Sequence, residues 1–564
     1  MNYDNKKIYS AYLMPSLVLA LIVAIVAVML DFIGIELGYT SPVGLILIAL
    51  GGISTAFFGA RFQYKYNNKS IKDIVSDFFS IKQPPIFYLL VILFLFLDFV
   101  GVITGLGFEI DSPVTPLLIF LKAILFGGIE EIGWRYTFQP EMEKRFSYKV
   151  STFITFLAWS VWHILYFCID GSIYFYSTEE IVFFLIGLLT NCFILSVIYK
   201  KSGSLWLCVM THALINTGAQ LSSYVWPLVS VICSLTCIRL ACVIVSESKK
   251  IDVKGLNSKD TAEFFGKCRN RIRKKYIVSI VAVLIGMILL LFLNAFSEEG
   301  IIYMAERVFN MPWLDFFRIE SADLFVKTWI YSIVVLIGGI YLYRLIKCQV
   351  GMKNILAEDL NPRKYIEVFE YLEGDRRFYR GKIAKYFYFI NFYVASFIYE
   401  QEYDTALEKI SLLQESTKGR AYQLAVCEYY KGNIATAKGD IGEGEKYLDN
   451  IKNLVRNIIN KGILAKNAKD IVIGLTSEIA LKKEDYEQAE TLISQRLIGR
   501  KDRMSKMCLN YNLGRAKQGL GKEDEAREYF KEAAMLAGDA TFELADKIRQ
   551  AYKNCINNSK KALQ

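Results

Sequence analysis

Apolar positions divide the chain into two regimes. Between residues 11 and 346 they gather into runs separated by short polar stretches, at 11–32, 43–60, 85–107, 114–138, 150–169, 181–199, 204–222, 224–246, 277–296 and 329–346. A bilayer core of about 30 Å takes about 20 residues of helix, so each run predicts a membrane span. The runs at 114–138 and 204–222 are the least uniformly apolar. From about residue 360 the pattern becomes amphipathic, with apolar residues on one helical face and charge on the other. The predicted fold is all-α: a polytopic membrane helical bundle of about ten spans, eight followed by a hairpin, and then a soluble α-solenoid. The expected divisions are 1–246, a basic linker and hairpin at 247–350, and 351–564.

The loops carry an orientation. Arg61, Lys65, Lys69 and Lys72, then Lys144, Arg145 and Lys149, then Lys200 and Lys201, then Arg269, Arg271, Arg273, Lys274 and Lys275, then Arg344 and Lys347 all fall on one side if the spans alternate. Glu36, Glu109, Asp111, Asp170, Glu179, Glu180, Glu298 and Glu299 fall on the other. The positive-inside rule then predicts a multi-pass protein of the cell membrane with cytoplasmic N- and C-termini. Lys6 and Lys7 precede the first run, but no small-residue cleavage site follows, which predicts a retained helix rather than a signal peptide.

Composition changes this picture little. The net charge of +10 is explained by basic residues flanking the spans, so no nucleic-acid partner is expected. The segment KCRNRIRKKY, from Lys267, also suits anionic lipid headgroups. Most of the eleven cysteines lie inside apolar runs and none forms a CxxC, which predicts reduced thiols and no cysteine-bound zinc.

The C-terminal part contains a loose repeat. YDTALEKI from Tyr403, IGEGEKYL from Ile441, YEQAETLI from Tyr486 and KEDEAREYF from Lys522 each place a small residue near an apolar one, namely Ala406, Gly444, Ala489 and Ala526. Their intervals are 38, 45 and 37 residues. The last unit, NLGRAKQGLGKEDEAREYFKEAA, resembles a tetratricopeptide repeat, whose helix pairs recur at about 34 residues. Such pairs stack into solenoids that bind peptides or protein segments, so a protein partner is expected there; a plain helical bundle is the other reading.

Three polar constellations interrupt the apolar runs: Glu130, Glu131 and Arg135 in GGIEEIGWRYTF, His163 in AWSVWHILYF, and His212 with Asn216 in MTHALINT. Ionisable groups in a span cost roughly 2.5 to 3.5 kcal/mol each on insertion scales, so they need a partner or a use. Glu131 and Arg135, four apart, share a helical face and can pair. Glu130 points about 100° away and is not explained by that pair. The chain has only two histidines, and both lie in these runs.

EEIGWR, WSVWH and HALIN resemble, in order and on separate helices, the EExxxR, FxxxH and HxxxN motifs of the CPBP (CAAX protease and bacteriocin-processing, or Abi) intramembrane proteases. The resemblance covers roughly residues 10–246, with Trp159 where the family usually has Phe, an apolar aromatic in either case. It implies an eight-helix core that hydrolyses a peptide bond near the cytoplasmic membrane face, using Glu130, His163, His212 and Asn216. In chemical terms, Glu130 would activate water with His163, while His212 and Asn216, one turn apart, would donate to the oxyanion. Glu131 and Arg135 would orient the segment.

Glu130, His163 and His212 have the donor types of a Zn²⁺ site with one position left for water, and a metal-free glutamate mechanism is also open. The Lys, Ile and Asn richness has the character of a low-GC bacterial chain and favours a small exported or membrane-associated peptide substrate over a prenylated CAAX protein. The alternative is a non-catalytic immunity or adaptor protein acting through its repeat region. Internal symmetry of the kind transporters show is not visible in the membrane part.

Overall fold

The structure, a computed structural model, describes every residue except 1–6, 36, 40, 105–106, 223–226, 247–251, 299–321, 380, 460–463 and 564, and the side chains of 290–298, 322–324, 326 and 558–563 are also outside the description. Lys6, Glu36, Glu299 and most of the predicted outer loop of the hairpin therefore lie outside the described residues. The described chain is helical, with no strand among its elements and one isolated bridge, Phe108 with Ser222. It separates into two compact units: residues 1–249 with 280–336, and residues 250–279 with 337–564.

The first unit is a membrane bundle. Its helices are α1 (Met14–Phe32), α2 (Pro42–Gly52), α3 (Ser54–Tyr66), α4 (Ile71–Phe78), α5 (Pro85–Thr104), α6 (Thr115–Phe126), α7 (Tyr148–Asp170), α8 (Thr178–Ser202), α9 (Leu205–Leu221) and α10 (Pro227–Ser246). Local chemistry sets many of these ends. Pro42, Pro85, Pro116 and Pro227 stand in the first turns of their helices, where the missing N–H is not needed. Ser177 and Glu180 form a capping box on α8, and Gly203, at φ 67°, ends it in the left-handed conformation. Seven described helices have both the length and the apolarity to cross a bilayer, the last of them Lys327–Ala357.

Two of the ten predicted spans take another form. The run at 204–222 folds as α9, only 17 residues long. The run at 114–138 is not one helix: α6 stops at Phe126, and the chain continues as a 3₁₀ turn (Gly128–Glu130), a single α turn (Glu131–Gly133), a π turn (Trp134–Phe138) and a short α-helix (Gln139–Glu143). The adjacent glycines explain the break, because they weaken the helix and let its neighbour approach. A Cβ on Gly127 would stand 2.5 Å from Asn216 Nδ2, and one on Gly128 2.8 Å from Val209 Cγ1.

Irregular backbone at membrane depth must have its polar groups met by protein. Here Gln63 Nε2 donates to the Tyr136 carbonyl at 2.6 Å, and Thr137 Oγ1 donates to the Ile132 carbonyl at 2.7 Å. The run at 277–296 lies within the long helix Ser258–Glu298.

The second unit stacks helices in chain order. Phe387–Tyr399, Tyr403–Ser416, Ala421–Lys438, Ile441–Val455, Ala465–Lys482, Tyr486–Leu497, Arg503–Gly519, Glu523–Ala537 and Glu543–Leu563 each pack on the next. The four small residues of the loose repeat are all buried at these contacts: a Cβ on Gly444 would meet Thr436 Oγ1 at 2.4 Å, and Ala406, Ala489 and Ala526 have no exposure. The array also returns on itself. Arg503 joins the Leu536 carbonyl, at 2.7 Å, to the Glu358 carbonyl, at 3.3 Å, and Met504, Met507, Phe542 and Ile548 share one apolar cluster with Phe369, Phe389 and Ile390.

In the first unit, Gly59 and Gly133 mark a close backbone crossing: a Cβ on Gly133 would lie 2.5 Å from Tyr12 Oη and 2.7 Å from the Thr55 carbonyl. Gly133→Ala is expected to destabilise the protein by about 1 to 3 kcal/mol, through overpacking, in thermal unfolding in detergent. Gly187→Ala on α8, where the added methyl meets nothing within 4 Å, is expected to leave stability unchanged or raised by up to about 1 kcal/mol.

Candidate active site

The broken segment between α6 and the short helix Gln139–Glu143 faces α7 and α9, and these three elements bring the sequence-predicted residues together. Glu130 ends the 3₁₀ turn, Glu131 opens the next, and Arg135 sits in the π turn. His163 lies on α7, and His212 and Asn216 lie one turn apart on α9. Glu130, Glu131, Arg135 and His212 are all buried.

The two glutamates have different partners. Glu131 Oε1 accepts from Arg135 Nη1 at 3.2 Å and stands 2.8 Å from His212 Nδ1. A carboxylate paired with a guanidinium can only accept, so His212 Nδ1 carries the proton and Nε2 faces the other way. That other side is Gly127, where an added Cβ would stand 3.2 Å from Nε2. Arg135 also lies over the Trp159 ring at 4.2 Å, a cation–π contact out of water. Glu131 thus serves His212 as well as Arg135, a contact 81 residues apart in sequence that no local pattern announces.

Glu130 has a partner that sequence reasoning undervalued. Trp159, expected to be a neutral replacement for Phe, donates from Nε1 to Glu130 Oε2 at 2.8 Å. A phenylalanine keeps the ring and lacks this donor, so the replacement is not neutral. The same indole packs against both histidines, with ring centroids 5.4 Å from each. The available signal is its spacing: Trp159 precedes His163 by one helical turn and shares its face. His163 is further enclosed by Trp162, Phe167 and Phe184, and its Nδ1 is buried with no hydrogen-bond partner in the protein.

Glu130, His163 and Asn216 line a cavity of about 200 Å³. Its walls include Phe126, Gly127, Tyr166 and Phe167, and its rim Tyr39, Lys122, Asp170 and Gln220. Lys122 lies over the Tyr39 ring at 4.2 Å, and Tyr39 and Tyr166 hydroxyls are 3.3 Å apart. The sequence singles out none of these rim residues as site residues, because each is an ordinary residue until the fold places it.

The fit for Zn²⁺ is poor in this arrangement. Among the described residues no group of three His, Cys, Asp or Glu side chains converges as a ligand set. Glu130 Oε2 accepts from an indole, while the Glu131 carboxylate on His212 Nδ1 is the kind of contact that orients a metal-bound imidazole and leaves Nε2 as its donor nitrogen, so it is the spacing of the three side chains and not their hydrogen bonding that departs from a ligand set.

Residues 112–218, which contain all six site residues, match the family model described as type II CAAX prenyl endopeptidase Rce1-like. The chain is also similar to CAAX prenyl protease 2 of Methanococcus maripaludis, 26% identical over 221 residues, covering 35% of this chain and 81% of that relative.

The pairings separate the two acids by experiment. Glu131→Ala leaves a buried guanidinium unpaired and is expected to cost about 3 to 5 kcal/mol of stability. Glu130→Gln keeps an acceptor for the indole and is expected to stay within about 1 kcal/mol of the parent. Thermal unfolding of both variants in the same detergent makes the comparison.

Proposed function

We propose that the membrane unit is an endopeptidase that hydrolyses a peptide bond of a membrane-associated peptide or protein in the cavity at Glu130. The observation that carries this reading is that a buried carboxylate, an imidazole and a carboxamide from three elements, Glu130, His163 and Asn216, line one small cavity with His212 one turn from Asn216, within the stretch that matches a family of endopeptidases. Glu130 takes a proton from water, which attacks the peptide carbonyl, and returns that proton to the leaving amine. Trp159 holds Glu130 in place through its indole N–H. His163, which lines the same cavity, meets the water there.

Asn216 Nδ2 supplies an N–H to the tetrahedral oxyanion. His212, oriented by Glu131, joins Asn216 there by presenting Nε2. This refines the simplest expectation from sequence, that of a free histidine donor: with Nδ1 already protonated against Glu131, Nε2 donates only in the imidazolium form. No step is routed through zinc, because among the described residues no three donor side chains are grouped as a ligand set. The carboxyl-terminal helical array is assigned the binding of a peptide or protein segment, on the strength of its chain-order stacking and buried small-residue contacts.

Glu130→Gln in the full-length protein is expected to lower cleavage by at least about 1,000-fold while folding persists. A precursor peptide should accumulate in cells carrying it, as read by peptide mass spectrometry. If cleavage and the cellular peptide set are unchanged, the immunity or adaptor reading replaces this one. Trp159→Phe is expected to slow turnover about 10- to 100-fold, the loss of one hydrogen bond to a charged group. Incubation with a strong chelator followed by desalting is expected to leave the rate within about twofold, and a loss restored by Zn²⁺ would bring the metal back into the mechanism.

A further inference from the structure

The direction in which the cavity opens can be read against the charge of the loops. Three of its four rim residues lie at the helix ends or loop remote from the basic clusters, and the fourth lies in the half of the broken span on that side. Tyr39 is in the turn after α1, Asp170 ends α7, Gln220 stands one residue before the end of α9, and Lys122 is in the half of the broken span that precedes Glu130. The four sequence stretches on that side, 33–41, 105–114, 171–177 and 222–226, contain no lysine or arginine. The opposite ends of the same helices carry Lys65, Lys69, Lys72, Lys144, Arg145, Lys149, Lys200 and Lys201. Such a complete asymmetry across short loops sets the basic ends in the cytoplasm.

The basic side of Glu130 is also closed. Residues Glu130 through Gln139 are buried without interruption. Beneath them Gln139 Nε2 donates to Thr152 Oγ1 at 3.1 Å, and Ser196 Oγ donates to Gln139 Oε1 at 2.8 Å, a polar plug between three elements. The exposed residues of the cavity that reaches Glu130, Tyr39, Lys122 and Gln220, are thus on the side of the acidic, lysine-poor helix ends.

We propose that the catalytic cavity opens on the extracytoplasmic side of the membrane, and that its substrate is a peptide segment presented there. This departs from the cytoplasmic-face hydrolysis implied by family resemblance, and its substrate clause rests on the endopeptidase reading above. The rim suits an extended peptide. Lys122 and Asp170 offer one charge of each sign, and Tyr39, Phe126, Tyr166 and Phe167 give aromatic walls to a space of about 200 Å³, the size of one or two residues. A lipidated C-terminus held at the cytoplasmic face would have to cross the bilayer core, about 30 Å, to reach it.

The test is labelling of single introduced cysteines in the full-length protein in intact cells, with a membrane-impermeant sulfonated maleimide and the parent protein as the measure of native-thiol background. Gln220→Cys and Lys122→Cys are expected to label to the same extent before and after permeabilisation. Lys72→Cys, exposed at the basic end, is expected to label at least about 10-fold more after permeabilisation. Should either rim variant fail to fold, Glu179→Cys, exposed in the first turn of α8, is read in the same way.

Rim cysteines that label only after permeabilisation would overturn the proposal. The readout needs no turnover, so it is independent of whether Glu130 hydrolyses anything. Adding Glu130→Gln to the labelled variants is expected to leave the pattern unchanged, which separates a wrong orientation from a wrong activity.

Discussion

The site depends on the buried carboxylate of Glu131. It is fully enclosed, accepts from Arg135 on its own segment, and engages His212 on another helix. A charge at membrane depth is tolerated only when paired, and here the same oxygen that neutralises Arg135 also decides which nitrogen of His212 carries the proton. Arg135 in turn lies over Trp159, whose indole holds Glu130. One chain of contacts therefore runs from an ion pair to the group assigned to the chemistry, and each link is short and dry.

That chain requires a backbone that is not a helix. A continuous helix through 114–138 with side chains in place of Gly127 and Gly128 would keep α9 at ordinary helix–helix distance. The Gly127–Gly128 pair lets α9 come close enough for Asn216 and His212 to face the break, and the 3₁₀, α and π turns that follow bury every residue from Glu130 to Gln139. π turns at functional sites are a recurrent use of this irregularity. Gln63 and Thr137 meet the carbonyl groups the irregular turns release, which is why the segment persists in an apolar setting.

The carboxyl-terminal unit follows a different physics. Its helices are amphipathic and pair through small residues, as at Gly444 against Thr436 and Gly514 against Phe530, with the buried Lys517 bridging Glu490 and Glu525 of the flanking helices. The return of its last helices to its first, through Arg503 and a shared apolar cluster, makes it a closed array and not an open-ended stack. Nearest-neighbour stacking explains the repeat visible along the chain; the closure depends on side chains far apart in sequence.

Hydrophobic periodicity and loop charge determined the all-helical class, most of the spans, the place where membrane-type runs give way to amphipathic helices, and the six polar residues that membrane insertion makes costly. Those are local or compositional signals: a run of about twenty apolar residues or a misplaced glutamate is visible without neighbours. Tertiary structure alone decided that the fourth run breaks at its glycines, that Trp159 is a hydrogen-bond donor to Glu130 rather than a stand-in for Phe, and that Glu131 reaches His212. It also decided that Tyr39, Lys122, Asp170 and Gln220 share a rim. Each of these is a contact between residues distant in the chain, fixed by how closely three helices can approach, and no periodicity along one helix records the distance to another.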